Sequence, residues 1–313
     1  VFTSNGDQDV TIQTGNSTTG SITITDGANG NIAITPNGSG AIQLDGLSWP
    51  TADGSADQVL KTDGSGSLSW TAASSGASNV NGLSDALIED NSLYLGQDPS
   101  STTSTAEYNL SIGVTALDAI TTGDANIAIG HDALSANTTG SGNLAIGYGA
   151  YDNADTEGNN LAIGRDALGG SINGGETNIA IGNYSLDANT SGDRNVALGY
   201  VALTQNSTGT YNVAIGSGAS QLNSSGSSNT SLGNNSMYSN TSANYNTAIG
   251  AEALYDIART SDTDGYNTAL GYNAGNTGTN DITTGNKNTL LGASTAASAA
   301  AGTNQTIIGY GAS

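Results

Sequence analysis

The chain has 313 residues, of which 35% are apolar, 10% are charged and none is Cys. Five Lys and Arg stand against 27 Asp and Glu, a net charge of −22. That charge repels phosphate backbones and anionic lipid, which excludes a nucleic-acid binder. The lack of Cys excludes disulfides and thiolate metal sites, and no apolar run approaches the ~20 residues of a membrane-spanning helix.

Residues 1–46 hold four alternating phrases, "DVTIQ", "SITIT", "NIAIT" and "AIQLD", separated by Gly, Asn and Asp. Alternation bounded by turn residues predicts short strands, and hence a small irregular β module. Residues 47–78 contain "QVLKTDGSGSLSWT", a hairpin with Asp63 and Gly64 in its turn, followed by the linker "TAASSGASN". Residues 79–104 read as a connector with one helical turn and a strand.

From residue 105 to 313 the chain repeats itself. A phrase N-x-[AS]-[IL]-G and its near relatives occurs twelve times, its glycines running from Gly113 to Gly309 mostly 17 residues apart. Asn stands four residues before the glycine in eleven copies, and Gln305 in the last. A second half follows, as in Asp132-Ala133-Leu134, and then a polar turn such as Asn137-Thr138-Thr139-Gly140. Seventeen residues suit two short strands and two turns, one coil of a narrow β-solenoid, whereas helical repeats need about 33 residues or more.

Period two puts Leu144 and Ile146 on one face of the strand, and Asn143 and Ala145 on the other. The larger aliphatics are expected inside the roll: Ile129, Ile146, Ile163, Ile181, Leu198, Ile215, Leu232 and Ile249. The Ala145 column, Ala or Ser in ten copies, is expected where another backbone or another chain approaches closely. The Asn column should form an amide ladder between coils. The glycine should mark a position of positive φ or tight packing. Two or three buried aliphatics per coil are few for ordering 17 residues, so the repeat predicts an oligomer.

The phrase N-x-A-I-G-x-x-A resembles the head repeat of trimeric autotransporter adhesins, the YadA-like head. The resemblance covers roughly residues 105–313. It implies three chains, each a left-handed parallel β-roll, joined in a rod at a cell surface. The phrase "GLSWPTADGSADQVLKTDGSGSLSW" is similar to a segment of marine bacteriophage tail fibres, which also carry N-x-A-I-G arrays. Together these resemblances imply a homotrimeric virion fibre that takes part in host attachment. Its N-terminal side would meet other virion proteins, and its partner would be a host surface glycan or protein. The alternative is the passenger head of a bacterial adhesin on the cell surface. The fold class expected is therefore all-β, a trimeric parallel β-roll of about twelve coils after smaller irregular β modules.

The chemistry-bearing residues are sparse. His131 is the only His, so no His-based triad or two-His metal site exists within one chain. The five Glu do not cluster with aromatics and basic residues, so no enzyme is expected, a polysaccharide depolymerase being the least favoured reading. No cofactor is expected. Asp262-Thr263-Asp264-Gly265 resembles half of a calcium loop without its closing Glu. The N-x-[ST] sites coincide with the repeat's turn and need no glycan. Two coils are longer, from Gly250 to Gly271 and from Gly271 to Gly292, each by four residues. Turns lengthened on a rigid scaffold are where recognition sits. The candidate contacts are Tyr255, Asp256, Arg259, Asp262, Asp264, Asn276, Thr277, Asn280 and Asp281. Tyr columns before the Asn and after the glycine suggest interchain packing or platforms for sugars.

Overall fold

The computed structural model describes residues 47–73, 86–96, 105–171, 173–257, 264–278 and 281–313, together with the backbone of four strands near the N-terminus. The chain forms two compact units, Val1–Ser78 and Asn79–Ser313. In the first, β1 (Val10–Gln13), β2 (Ser21–Ile24) and β3 (Ile32–Thr35) make an antiparallel meander. Next, β4 (Gln43–Leu44) pairs with β5 (Leu47–Ser48). The expected hairpin joins β6 (Gln58–Thr62) to β7 (Leu68–Ala72). Asp63 builds its turn by accepting the N–H groups of Ser65 (2.7 Å) and Ser67 (3.0 Å). These bonds hold its carboxyl below the usual range. Trp70 donates from Nε1 to the Ala52 carbonyl (2.9 Å).

The second unit is a β-solenoid. It opens on an antiparallel hairpin, β8 (Ala86–Glu89) and β9 (Ser92–Leu95), so the described part of the expected connector is two strands. Twelve three-residue strands follow in chain order, from Leu110–Ile112 to Thr306–Ile308, each parallel to the one before. The fourteen strands form one continuous sheet, whose first neighbour pair alone is antiparallel. Each of the twelve coils thus contributes one rung.

The second half of a coil is not the strand expected from its sequence. It is a run of turns with left-handed residues at two fixed places, such as Asp132 (φ 58°) and Leu134 (φ 53°). Hydrogen bonds still pass from coil to coil there, as from Leu134 N–H to the Ala150 carbonyl (3.1 Å). The Leu134 column holds Leu, Met, Tyr and Ser but no Val, Ile or Thr in the first nine coils. β-Branched side chains are the ones least tolerant of positive φ.

The alternation along the strand is as expected, but its two faces are exchanged. Ala128, Ala145, Ala162, Ala180, Ala197 and Ala214 are fully buried inside the roll. Ile129, Ile146, Ile163, Ile181, Leu198, Ile215, Leu232 and Ile249 point outward, half-buried or exposed. The physical reason is width. The facing wall already supplies Leu117, Leu134, Leu168, Leu186, Leu203 and Leu254, all fully buried, and leaves room for only a methyl opposite. The exception proves the volume limit: where the strand brings Leu290 inward, the leucine column has Gly275. A Cβ on Gly275 would lie 2.9 Å from Leu254 and 3.8 Å from Leu290.

The Asn column is a ladder, as expected. The N–H of Asn160 donates to Oδ1 of Asn143 (2.9 Å), and the same bond recurs from Asn126 up to Gln305. Each amide Nδ2 reaches a turn carbonyl, as Asn126 reaches Gly140 (2.9 Å). The final Gln305 turns its longer side chain to Ser298 instead. A second ladder stands at the N-x-[ST] sites. Asn206 donates to Asn189, Asn223 to Asn206, and Asn240 to Asn223, at 2.7–3.1 Å. These four amides are buried in the folded solenoid and serve the ladder. The repeat glycines combine both expected roles. Gly147 has φ 141°, and a Cβ on it would lie 2.4 Å from the Gly164 carbonyl oxygen.

Candidate functional site

The two longer coils depart from the others in an orderly way. In the first, Ile257 is fully buried in place of the ladder amide and anchors the start of the insertion. In the second, Gly275 adopts φ 77° and its carbonyl accepts the N–H of Ile282 (3.0 Å), which brings the two ends of the insertion together. Asp281 fastens that loop from within, accepting the N–H groups of Thr277 and Gly278.

At the base of these insertions the solenoid surface carries an open cleft of about 230 Å³, lined by Asn235, Glu252, Tyr255, Asp256 and Asn276. Three of these, Tyr255, Asp256 and Asn276, are sequence candidates. The Tyr255 ring lies flat on Tyr238, centroids 5.0 Å apart and planes within 4°. Burial raises the Asp256 carboxyl above its usual range, and Asp281 adds to the effect. Burial also raises the Tyr255 phenol, with Tyr238, Asp256 and Glu252 contributing.

The remaining candidates divide. Thr277 and Asp281 shape the loop rather than line the cleft. Asp264 accepts the Tyr266 hydroxyl (2.9 Å). Arg259, Asp262 and Asn280 lie outside the described residues, as does half of the candidate calcium loop. Asn235 and Glu252 escaped the sequence reading. Their signal was the position two residues after the repeat glycine, where both adopt positive φ (52° and 58°) and so turn outward together.

Chemically the cleft offers two carboxylates, two amides and a phenol with no lining cation. It can exchange several hydrogen bonds with a neutral, hydroxyl-rich ligand and would repel an anionic one. Elsewhere, His131 is a surface residue, bonded through Nδ1 to Asp132 (2.7 Å) and stacked on Tyr148 (5.4 Å).

The tyrosine columns flank the outward sheet face on both sides. Arg165 lies over Tyr148 (5.5 Å) and Tyr184 (5.9 Å). Along the other edge, Arg194 lies over Tyr211 (5.4 Å), and Tyr245 stacks on Tyr266 (5.1 Å). Between these edges an Ile/Leu column runs the length of the face, and Ile112, Ile127, Ile179 and Leu198 are about 40% exposed. Comparison with protein-family models, curated proteins and solved structures finds no match to this chain.

Proposed function

We propose that the chain is a structural, non-catalytic fibre subunit that assembles as a homotrimer and takes part in attachment to a host surface, as a virion tail fibre does. The observation that carries this reading is the outward sheet face. A chain of net charge −22 keeps one outward Ile/Leu column along all twelve coils, with a second aliphatic column beside it in the first seven. Contiguous apolar patches on that scale mark interaction surfaces. Tyrosines and arginines at both edges are the residue types enriched at interfaces.

The three-fold count comes from the resemblance to trimeric adhesin heads and fibres. Such a rod would carry the 276–281 loop and its cleft three times around its axis, so weak contacts add by avidity. Light scattering of the purified chain tests the assembly, with three chain masses expected. A single chain mass at micromolar concentration would sink the proposal. Labelled protein should then adsorb to host cells and compete with the intact particle, and failure to compete would remove the attachment role.

A further inference from the structure

The outward face is not uniform along the solenoid. At the first outward position of each strand, the seven coils from Leu110 to Val213 all carry Leu, Ile or Val. The next five all carry threonine: Thr230, Thr247, Thr268, Thr289 and Thr306. The register is continuous across the change, with Val213 paired to Thr230 and each threonine to the next. The neighbouring outward position stays Ile or Leu throughout, as in Ile215, Leu232 and Ile249.

Thr and Val have nearly the same shape, so the backbone surface runs on unbroken while its chemistry changes in one step. A hydroxyl buried dry without a partner is costly, and exchanging Val for Thr is not neutral in a packed interior. None of the five hydroxyls has a hydrogen bond within the chain among the described residues. The same five coils contain both lengthened coils and the cleft at Tyr255.

We infer that the sheet face is two surfaces in series. Coils one to seven mate dry with other copies of this chain, and coils eight to twelve present a hydrated, hydrogen-bonding surface. The first part holds the assembly together. The second does not have to be sealed, which leaves the cleft-bearing end able to adjust. This inference rests on the proposed oligomer.

The absence of native Cys makes the test direct. Ile179 and Thr268 are both exposed in the single chain, so any difference between them arises from assembly. Ile179→Cys and Thr268→Cys are made in the full chain and treated, as assembled protein, with a water-soluble maleimide. Ile127→Cys and Thr289→Cys form a second pair should either of the first misfold. The expected result is labelling at least about tenfold slower at 179 than at 268, with the difference abolished by denaturant. Equal rates at the two sites in an assembled protein, whether both fast or both slow, would overturn the two-surface inference and leave the oligomer standing. A monomer with both sites fast would overturn the oligomer as well.

Discussion

Asn178 offers the sharpest measure of what the amide ladder contributes. Its side chain is fully buried and makes three bonds. Nδ2 donates to the Gly192 carbonyl (2.9 Å), while Oδ1 accepts from the N–H (2.9 Å) and the Nδ2 (3.2 Å) of Asn195. Asn178→Ala removes all three, but the losses are unequal. Gly192 keeps the donor from Asn189 (3.0 Å), and Asn195 Nδ2 keeps the Gly209 carbonyl (2.8 Å). The Asn195 N–H is left buried with no acceptor. One orphaned donor costs about 1–3 kcal/mol and the lost bonds roughly 1 more, so a destabilisation of about 2–4 kcal/mol is expected. Each coil touches only its neighbours, so the damage should stay local. Hydrogen exchange read by mass spectrometry should show faster exchange centred on residues 160–212 and little change near either end. Asn234→Ala, on the exposed side, should cost under about 0.5 kcal/mol. If the two variants melt alike, the ladder is a consequence of the fold and not one of its supports.

Leu168→Ala empties part of the fully buried wall facing Ala162, and should cost about 2–5 kcal/mol in a denaturant titration. Ile163→Ala, on the outer face, should leave the coil folded and weaken self-association in sedimentation. Gly147→Ala drives a Cβ to 2.4 Å from the Gly164 oxygen at φ 141°, and should lower the melting temperature at least as much as Leu168→Ala. Asp152 is half-buried, and burial, with Asp166 and Asp132 adding to it, pushes its carboxyl up to about 6. Its folded value lies above the unfolded one near 3.9, so its stabilising contribution is complete at low pH and is lost as pH rises through about 6. Solvent screening reduces the effect to roughly 1 kcal/mol. Asp152→Asn should therefore raise the melting temperature at pH 7, and a variant no more stable there than its parent would contradict the assignment.

The period, the number of coils, the amide ladder and the glycine column were all legible in the sequence, because each is a repeated local requirement. The turn-built second half was not, since x-x-A-L has the alternation of a strand and only the avoidance of β-branched residues at the Leu134 position betrays positive φ. The cleft was half legible. The insertions announced Tyr255, Asp256 and Asn276, but Asn235 and Glu252 come from coils of ordinary length or position and join the cleft only through stacking. A repeat phase marks such columns; it does not say which of them meet.

The exchanged faces have the most to teach about this fold. Ranking side chains by size puts Ile146 inside and Ala145 outside, which holds for an interior wide enough to use the larger residue. Here the interior is set by a 17-residue circumference, and in six of the first nine coils a single leucine spans it. The Leu290 and Gly275 pair makes the limit visible, since this large residue enters the strand's inner face beside a wall position that carries no side chain. Once alanine suffices inside, the isoleucines are not needed to hold a single chain together. The retention of Ile or Leu on the outer face in every coil, beside a column that changes from aliphatic to threonine at one point, then calls for a reason outside the single chain. In the proposed assembly, burial against other copies would supply it for the aliphatic coils, and the threonines would mark where that burial ceases to be dry.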